Sequence, residues 1–150
     1  MKKFLIIAFY ILILTPSISY SKVVAQCGES KGKSVYLKNG VLGDLGGIKD
    51  DGFSGSKIIL EANHDANSGK TKVDVIFYQG NTPYRASSAG PVYLINMNPT
   101  NGTWLILAIA STYMDTYLFN LDQSGNGEVV WTNSRSGGTP KVALMKAKCG

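Results

Sequence analysis

Apolar and polar residues alternate in short runs along most of this chain. Residues 72–78 are the clearest case, with Val73, Val75 and Phe77 on one face and Lys72 and Asp74 on the other. A period of two marks a half-buried strand. Residues 113–121 repeat it with Tyr113, Tyr117, Phe119 and Leu121, and 128–133 bring Val129 and Trp131 to one face. Further strands are expected at 34–38, 57–62 (Ile58 and Leu60 inward), 84–88, 91–97 and 141–147. Residues 103–110 are apolar on both faces, which predicts a central strand or one lining a closed barrel. Turns fall at 79–83, 98–102, 122–127 and 134–140, and the six glycines and three aspartates of 39–55 read as a long surface loop. Nothing has the length and 3.6-residue period of a helix. The pattern predicts an all-β fold, a single antiparallel β-barrel or sandwich of about eight strands.

The first twenty-five residues break this texture. Lys2 and Lys3 precede an apolar run over 4–14, Thr15, Pro16 and Ser17 end it, and small residues follow at Ser19, Ser21 and Ala25. That order is a secretory signal peptide, and the run falls short of the about 20 apolar residues a membrane span needs. Cleavage fits after Ser21 or after Ala25. Ala25 is preferred, dividing the chain into a leader, 1–25, and one domain, 26–150. Lipidation at Cys27 is not expected, because the residue before it, Gln26, is not small. No stable membrane anchor is then left after cleavage.

Removing the leader changes the charge. The full chain carries +5, but Lys2, Lys3 and Lys22 leave with residues 1–25 and no acid does, so 12 bases face 10 acids. The remaining bases are scattered, which argues against nucleic acid as a partner. Lys141, Lys146 and Lys148 suggest an edge strand guarded by lysines. Cys27 and Cys149 are the only cysteines. An even count in an exported chain points to a disulfide closing the domain end to end, which favours a barrel slightly over a sandwich.

Few motifs suggest chemistry. Asp122, Ser124, Asn126 and Gly127 resemble the front of a calcium loop, but Asn133 stands where a bidentate Glu is needed, so a hairpin turn is expected and no metal. Gly28-Glu29-Ser30-Lys31-Gly32 matches G-x-S-x-G without the strand that a nucleophile elbow requires. The S-x-x-K matches at Ser30 and Ser54 lack companion motifs, and Asn101-Gly102-Thr103 is a formal glycosylation sequon in a turn. His64, the only histidine, sits in a polar hairpin tip. Asp115 shares a face with Tyr113 and Tyr117. If buried it must be satisfied, by a tyrosine hydroxyl or backbone donors, and it could stand at the mouth of a ligand cavity with Tyr93 and Trp104.

Four stretches taken together carry a resemblance. They are Cys27-Gly28-Glu29-Ser30, Asp51-Gly52-Phe53-Ser54-Gly55, the run from Tyr117 to Asp122 followed by Gly125, Gly127, Val129 and Trp131-Thr132, and the ending Leu144-Met145-Lys146-Ala147-Lys148-Cys149. The chain resembles a group of short, exported, uncharacterised proteins of Gram-negative bacteria. The resemblance implies a periplasmic or secreted location and no activity. The polar tip at 63–70 departs from the compact turn of that group and is a place for individual specialisation.

These readings set the functional expectation. It is a non-catalytic, monomeric binding or inhibitory module without cofactor, facing an unknown protein or small-molecule partner. The binding loop would comprise Gly43, Asp44, Leu45, Gly46, Gly47, Asp50 and Asp51. The alternative is a carrier of a small apolar ligand, with Tyr93, Trp104, Tyr113, Asp115 and Tyr117 facing a cavity. A hydrolase is the weakest candidate.

Overall fold

The computed structural model describes residues 21–37, 47–137 and 140–150. They form one antiparallel sheet of eleven strands. In chain order these are β1 (Lys22–Cys27), β2 (Ser30–Tyr36), β3 (Gly47–Phe53), β4 (Lys57–Asp65), β5 (Lys70–Gln79) and β6 (Thr82–Arg85). One helical turn, α1 (Ala86–Ala89), leads into β7 (Val92–Asn98), β8 (Thr103–Ile109), β9 (Tyr113–Leu121), β10 (Gly127–Arg135) and β11 (Lys141–Cys149).

The main ladder runs β6-β5-β4-β1-β11-β10-β9-β8-β7, with β2 pairing both β11 and β3. β11 is therefore central. One of its edges meets β10 along its whole length, and the other is shared by β1 at Cys149 and by β2 from Lys141 to Lys146. The sheet curls into a half-barrel, not two stacked layers. The curl brings β5 against β7 without pairing them, and α1 lies against both β5 and β8.

Alternation sets the interior. Ile58, Leu60, Val75, Ile106, Tyr117, Phe119, Val129, Trp131 and Met145 are buried inward. Phe53, Phe77, Val92, Leu94 and Trp104 pack on them. These side chains fill the interior, and among the described residues hollows open at its two ends and beside β7, where Tyr93 and Leu94 line one of about 580 Å³. Cys27 and Cys149 are disulfide-bonded, 122 residues apart, at the one register pair that joins β1 to β11 among the described residues.

Three expectations are corrected. Residues 47–53 are a strand, not part of a loop. Gly52 suits the site because an added Cβ would lie 3.2 Å from the Ser30 carbonyl oxygen, and Lys33 pairs across the ladder with Asp50 at 2.5 Å. Residues 86–89 are a helical turn where a weak strand was expected, since Arg85 ends the pairing of β6 with β5. β11 is not an edge: Lys141 is paired with Asp51 and Lys146 with Glu128. The sheet begins at Lys22, within the segment expected as leader, and Ala25 is only 3% exposed.

Of the two readings of residues 103–110, the double-sided burial does not hold: β8 lines the half-barrel with its outer face uncovered. Ile109 and its outward neighbours are partly exposed, and ladder register lines up Ile48, Val35 and Val142 as a second exposed apolar row across β3, β2 and β11.

β2 and β3 are locked to β11 by a polar contact. Asp51 accepts hydrogen bonds from Ser34 Oγ and from Lys141 Nζ, the latter at 2.6 Å, and Lys141 also lies over the Tyr36 and Phe53 rings. Burial pushes the Asp51 carboxyl up, but the bonds from Lys141 and Ser34 and the lysine charge outweigh it and hold the group below 3.8. A depressed pKa contributes stability above the unfolded value that is lost as pH falls through the folded one. Lys141→Met leaves Asp51 without its cation and should cost about 1–3 kcal/mol at neutral pH. The deficit should shrink below pH 3.8, as urea unfolding of both proteins across that range would reveal. A deficit constant with pH would contradict the ion-pair account.

Candidate functional site

The two ends of the half-barrel differ in chemistry. One hollow, of about 380 Å³, opens between β5, β9 and β10 under α1. Its wall is aromatic. Phe53 meets Phe77 edge-on at 5.2 Å between ring centroids, and Trp131 lies 5.9 Å from Phe53 and 6.2 Å from Phe77. Tyr117 stacks on Trp131 at 5.8 Å and on Phe119 at 6.3 Å. Trp131 Nε1 donates to Ser30 Oγ at 3.2 Å, which fixes the indole. Tyr84, Arg85, Tyr113 and Arg135 stand around the opening.

Asp115 is the polar centre of this mouth and is 8% exposed. Oδ2 accepts from the Tyr117 hydroxyl at 3.0 Å, and Oδ1 accepts from Asn133 Nδ2. Burial raises its pKa above 3.8, against the lowering effect of the Asn133 and Tyr117 bonds and the Arg135 charge. Burial and the neighbouring carboxylate push the Tyr117 hydroxyl well above 10.0, so it stays a neutral donor at neutral pH. Asn133 was missed in the sequence reading, although the turn after Leu121 contained the signal. With Leu121 opposite Gly127, counting six residues back and six forward sets Asp115 opposite Asn133.

Of the residues expected to share a cavity face, Tyr113, Asp115 and Tyr117 line this mouth. Tyr93 does not: it pairs with Leu107, points outward and is 48% exposed, while Val92 and Leu94 face the core. Trp104 faces inward opposite Phe119 but lines the hollow at the other end. Of the expected binding loop, Gly43, Asp44, Leu45 and Gly46 lie outside the described residues. Gly47, Asp50 and Asp51 lie on β3, and both aspartates are paired with lysines.

The other hollow is larger, about 860 Å³, and lies among turns. Its one histidine and its one carboxylate are already engaged locally. His64 Nδ1 is 3.1 Å from Thr71 Oγ1. Asp122 Oδ1 accepts from the backbone N–H groups of Ser124 and Asn126 at 2.8 and 2.9 Å, and those bonds depress its pKa. The calcium-like segment is thus a carboxylate-capped hairpin turn. Size favours this end, but walls and polar convergence favour the smaller mouth, and ligand sites are built from the latter.

The remaining motifs are structural. Ser30 is fully buried as the partner of Trp131, and an added Cβ at Gly32 would lie 1.9 Å from the Leu144 carbonyl oxygen, so this stretch is strand backbone in close approach. Arg85 is held by Glu61 at 2.8 Å and Asp74 at 3.2 Å, and Asp74 also accepts from the Ser87 backbone and hydroxyl, fixing α1 over the mouth. No helix among the described residues is long and apolar enough to cross a membrane. Neither family models, curated proteins nor solved structures match the chain.

Proposed function

We propose that this is an exported, non-catalytic binding protein whose aromatic mouth beside Asp115 takes a small, mostly apolar ligand with a polar end. The carrying observation is the convergence of Phe53, Phe77, Tyr117 and Trp131 with one buried carboxylate on an opening of about 380 Å³. Pockets that bind small molecules pair apolar walls with a few placed polar groups. The loop-mediated reading has less support, because Asp50 and Asp51 are engaged by Lys33 and Lys141. Catalysis has less still: the only buried carboxylate at the mouth is occupied by Tyr117 and Asn133, and His64 lies at the opposite end.

Export to the periplasm or medium is supported by the basic, apolar leader and by the disulfide. Cleavage after Ser21 is favoured over Ala25. The later cut would remove Ala25 from the core and strip Lys22, Val23 and Ala25 from their pairing with β4.

The binding proposal is tested by titrating 3,3-dimethylbutan-1-ol, a compact apolar alcohol, into protein carrying Trp104→Phe, so that Trp131 alone reports. Saturable change in Trp131 emission is expected. Ala86→Phe places a ring at the rim and should abolish the change while leaving the thermal midpoint within a few degrees. Binding unaffected by Ala86→Phe, or none at all, would contradict the proposal.

A further inference from the structure

Asp115 is unusual in what surrounds it. Its two oxygens accept from neutral donors only, Tyr117 and Asn133, and among the described residues no ion pair reaches it. A carboxylate that deep is costly without a cation. The titratable and charged groups near it are Tyr113 and Tyr117 on its own strand, Arg135 on β10 and Arg85 from β6. Arg85 is already shared between Glu61 and Asp74. Arg135 acts on Asp115 through its charge but forms no hydrogen bond to it, and it sits exposed at the rim, where water screens it.

The walls complement that charge. Aromatic faces attract cations through the ring quadrupole, most strongly for Trp and more so when desolvated. The same cluster already meets one cation, because Lys141 Nζ lies 5.8 Å from the Phe53 ring centroid. An anionic ligand would instead have to approach buried Asp115 with Arg135 as its only uncommitted arginine at the mouth.

We infer that the mouth is selective for a small organic ammonium cation, with Asp115 as counter-ion and the rings of Trp131, Tyr117, Phe53 and Phe77 as its walls. This rests on the reading of the mouth as a small-molecule site. The three probes share one shape and differ in charge: choline, 3,3-dimethylbutan-1-ol and 3,3-dimethylbutanoate. Choline should bind at least about tenfold more tightly than the neutral alcohol. Asp115→Asn should lower the ratio several-fold, leaving only the preference of the aromatic walls, while the alcohol still binds.

Equal affinity for choline and the alcohol would overturn cation selectivity and leave the mouth as a binding site. Tightest binding of the carboxylate would also overturn it, assigning the site to Arg135. Absence of binding by all three would remove both readings. If Asp115→Asn does not fold, Arg135→Gln decides. Removing the exposed rim charge should tighten choline a few-fold, and weaker choline binding in that variant would contradict the inference.

Discussion

Replacing Cys27 and Cys149 together by serine is expected to lower unfolding stability by about 2–5 kcal/mol, toward the upper end because the closed loop spans most of the chain. The effect has two sources. The link restricts an unfolded chain over 122 residues of sequence separation. It also joins two arms of the sheet, since Cys27 and Cys149 form the sole register pair between β1 and β11 among the described residues. Two backbone bonds flank it, Gly28 N–H to the Lys148 carbonyl at 2.8 Å and Gly150 N–H to the Gln26 carbonyl at 2.9 Å. These should hold the arms together in the folded double variant, with amide exchange in β1 faster than in β10. Urea unfolding gives the stability. The intact mass of the wild-type protein from its host should start at Lys22 and be two hydrogens short. A variant within about 1 kcal/mol of wild type would contradict the account of the link. A mass starting at Gln26 would contradict the cleavage proposal.

Trp131→Ala is expected to cost about 3–5 kcal/mol, the range for deleting a large buried aromatic side chain. The indole is 5% exposed and touches rings from β3, β5 and β9 while donating to Ser30 on β2. Its removal opens a cavity and leaves Ser30 without its indole donor. Trp131→Phe, which keeps most of the ring contacts, should cost less than half as much. Thermal and urea unfolding of both variants measure this. A Trp131→Ala protein that unfolds like wild type would mean that the aromatic cluster does not join the arms.

Much of this architecture was legible where one face of a strand is wet. Val73, Val75 and Phe77, and then Tyr117, Phe119 and Leu121, announce their strands by alternation and fall inward as expected. The cysteine pair was legible from count alone. Two strands were hidden for different reasons. β1 follows a leader-like run, and its small Ala25 beside a plausible cut disguises a core position. β3 reads as loop because Gly47, Asp50, Asp51 and Gly52 have low strand propensity. There, cross-strand pairing with Lys33, Ser34 and Lys141 overrides that propensity.

The site was half legible. Asp115 and Tyr117 are neighbours at a spacing of two, so their contact follows from the strand period. Asn133 follows only once hairpin register is counted. Phe53 and Phe77 arrive from strands whose pairing with the rest of the sheet no local pattern specifies. Tyr93 was misplaced because face parity on β7 depends on its register with β8, which contains an irregularity between Leu94 and Asn96.

The most direct test is a ¹H–¹⁵N and aromatic ¹H–¹³C spectrum of the folded protein with and without saturating choline. The account predicts shifts confined to the Trp131 indole, the Tyr117, Phe53 and Phe77 rings and the Asn133 side-chain amide, with Trp104 and His64 unmoved. Shifts centred on Trp104 and His64, or none at the Trp131 indole, would place any binding elsewhere and contradict it.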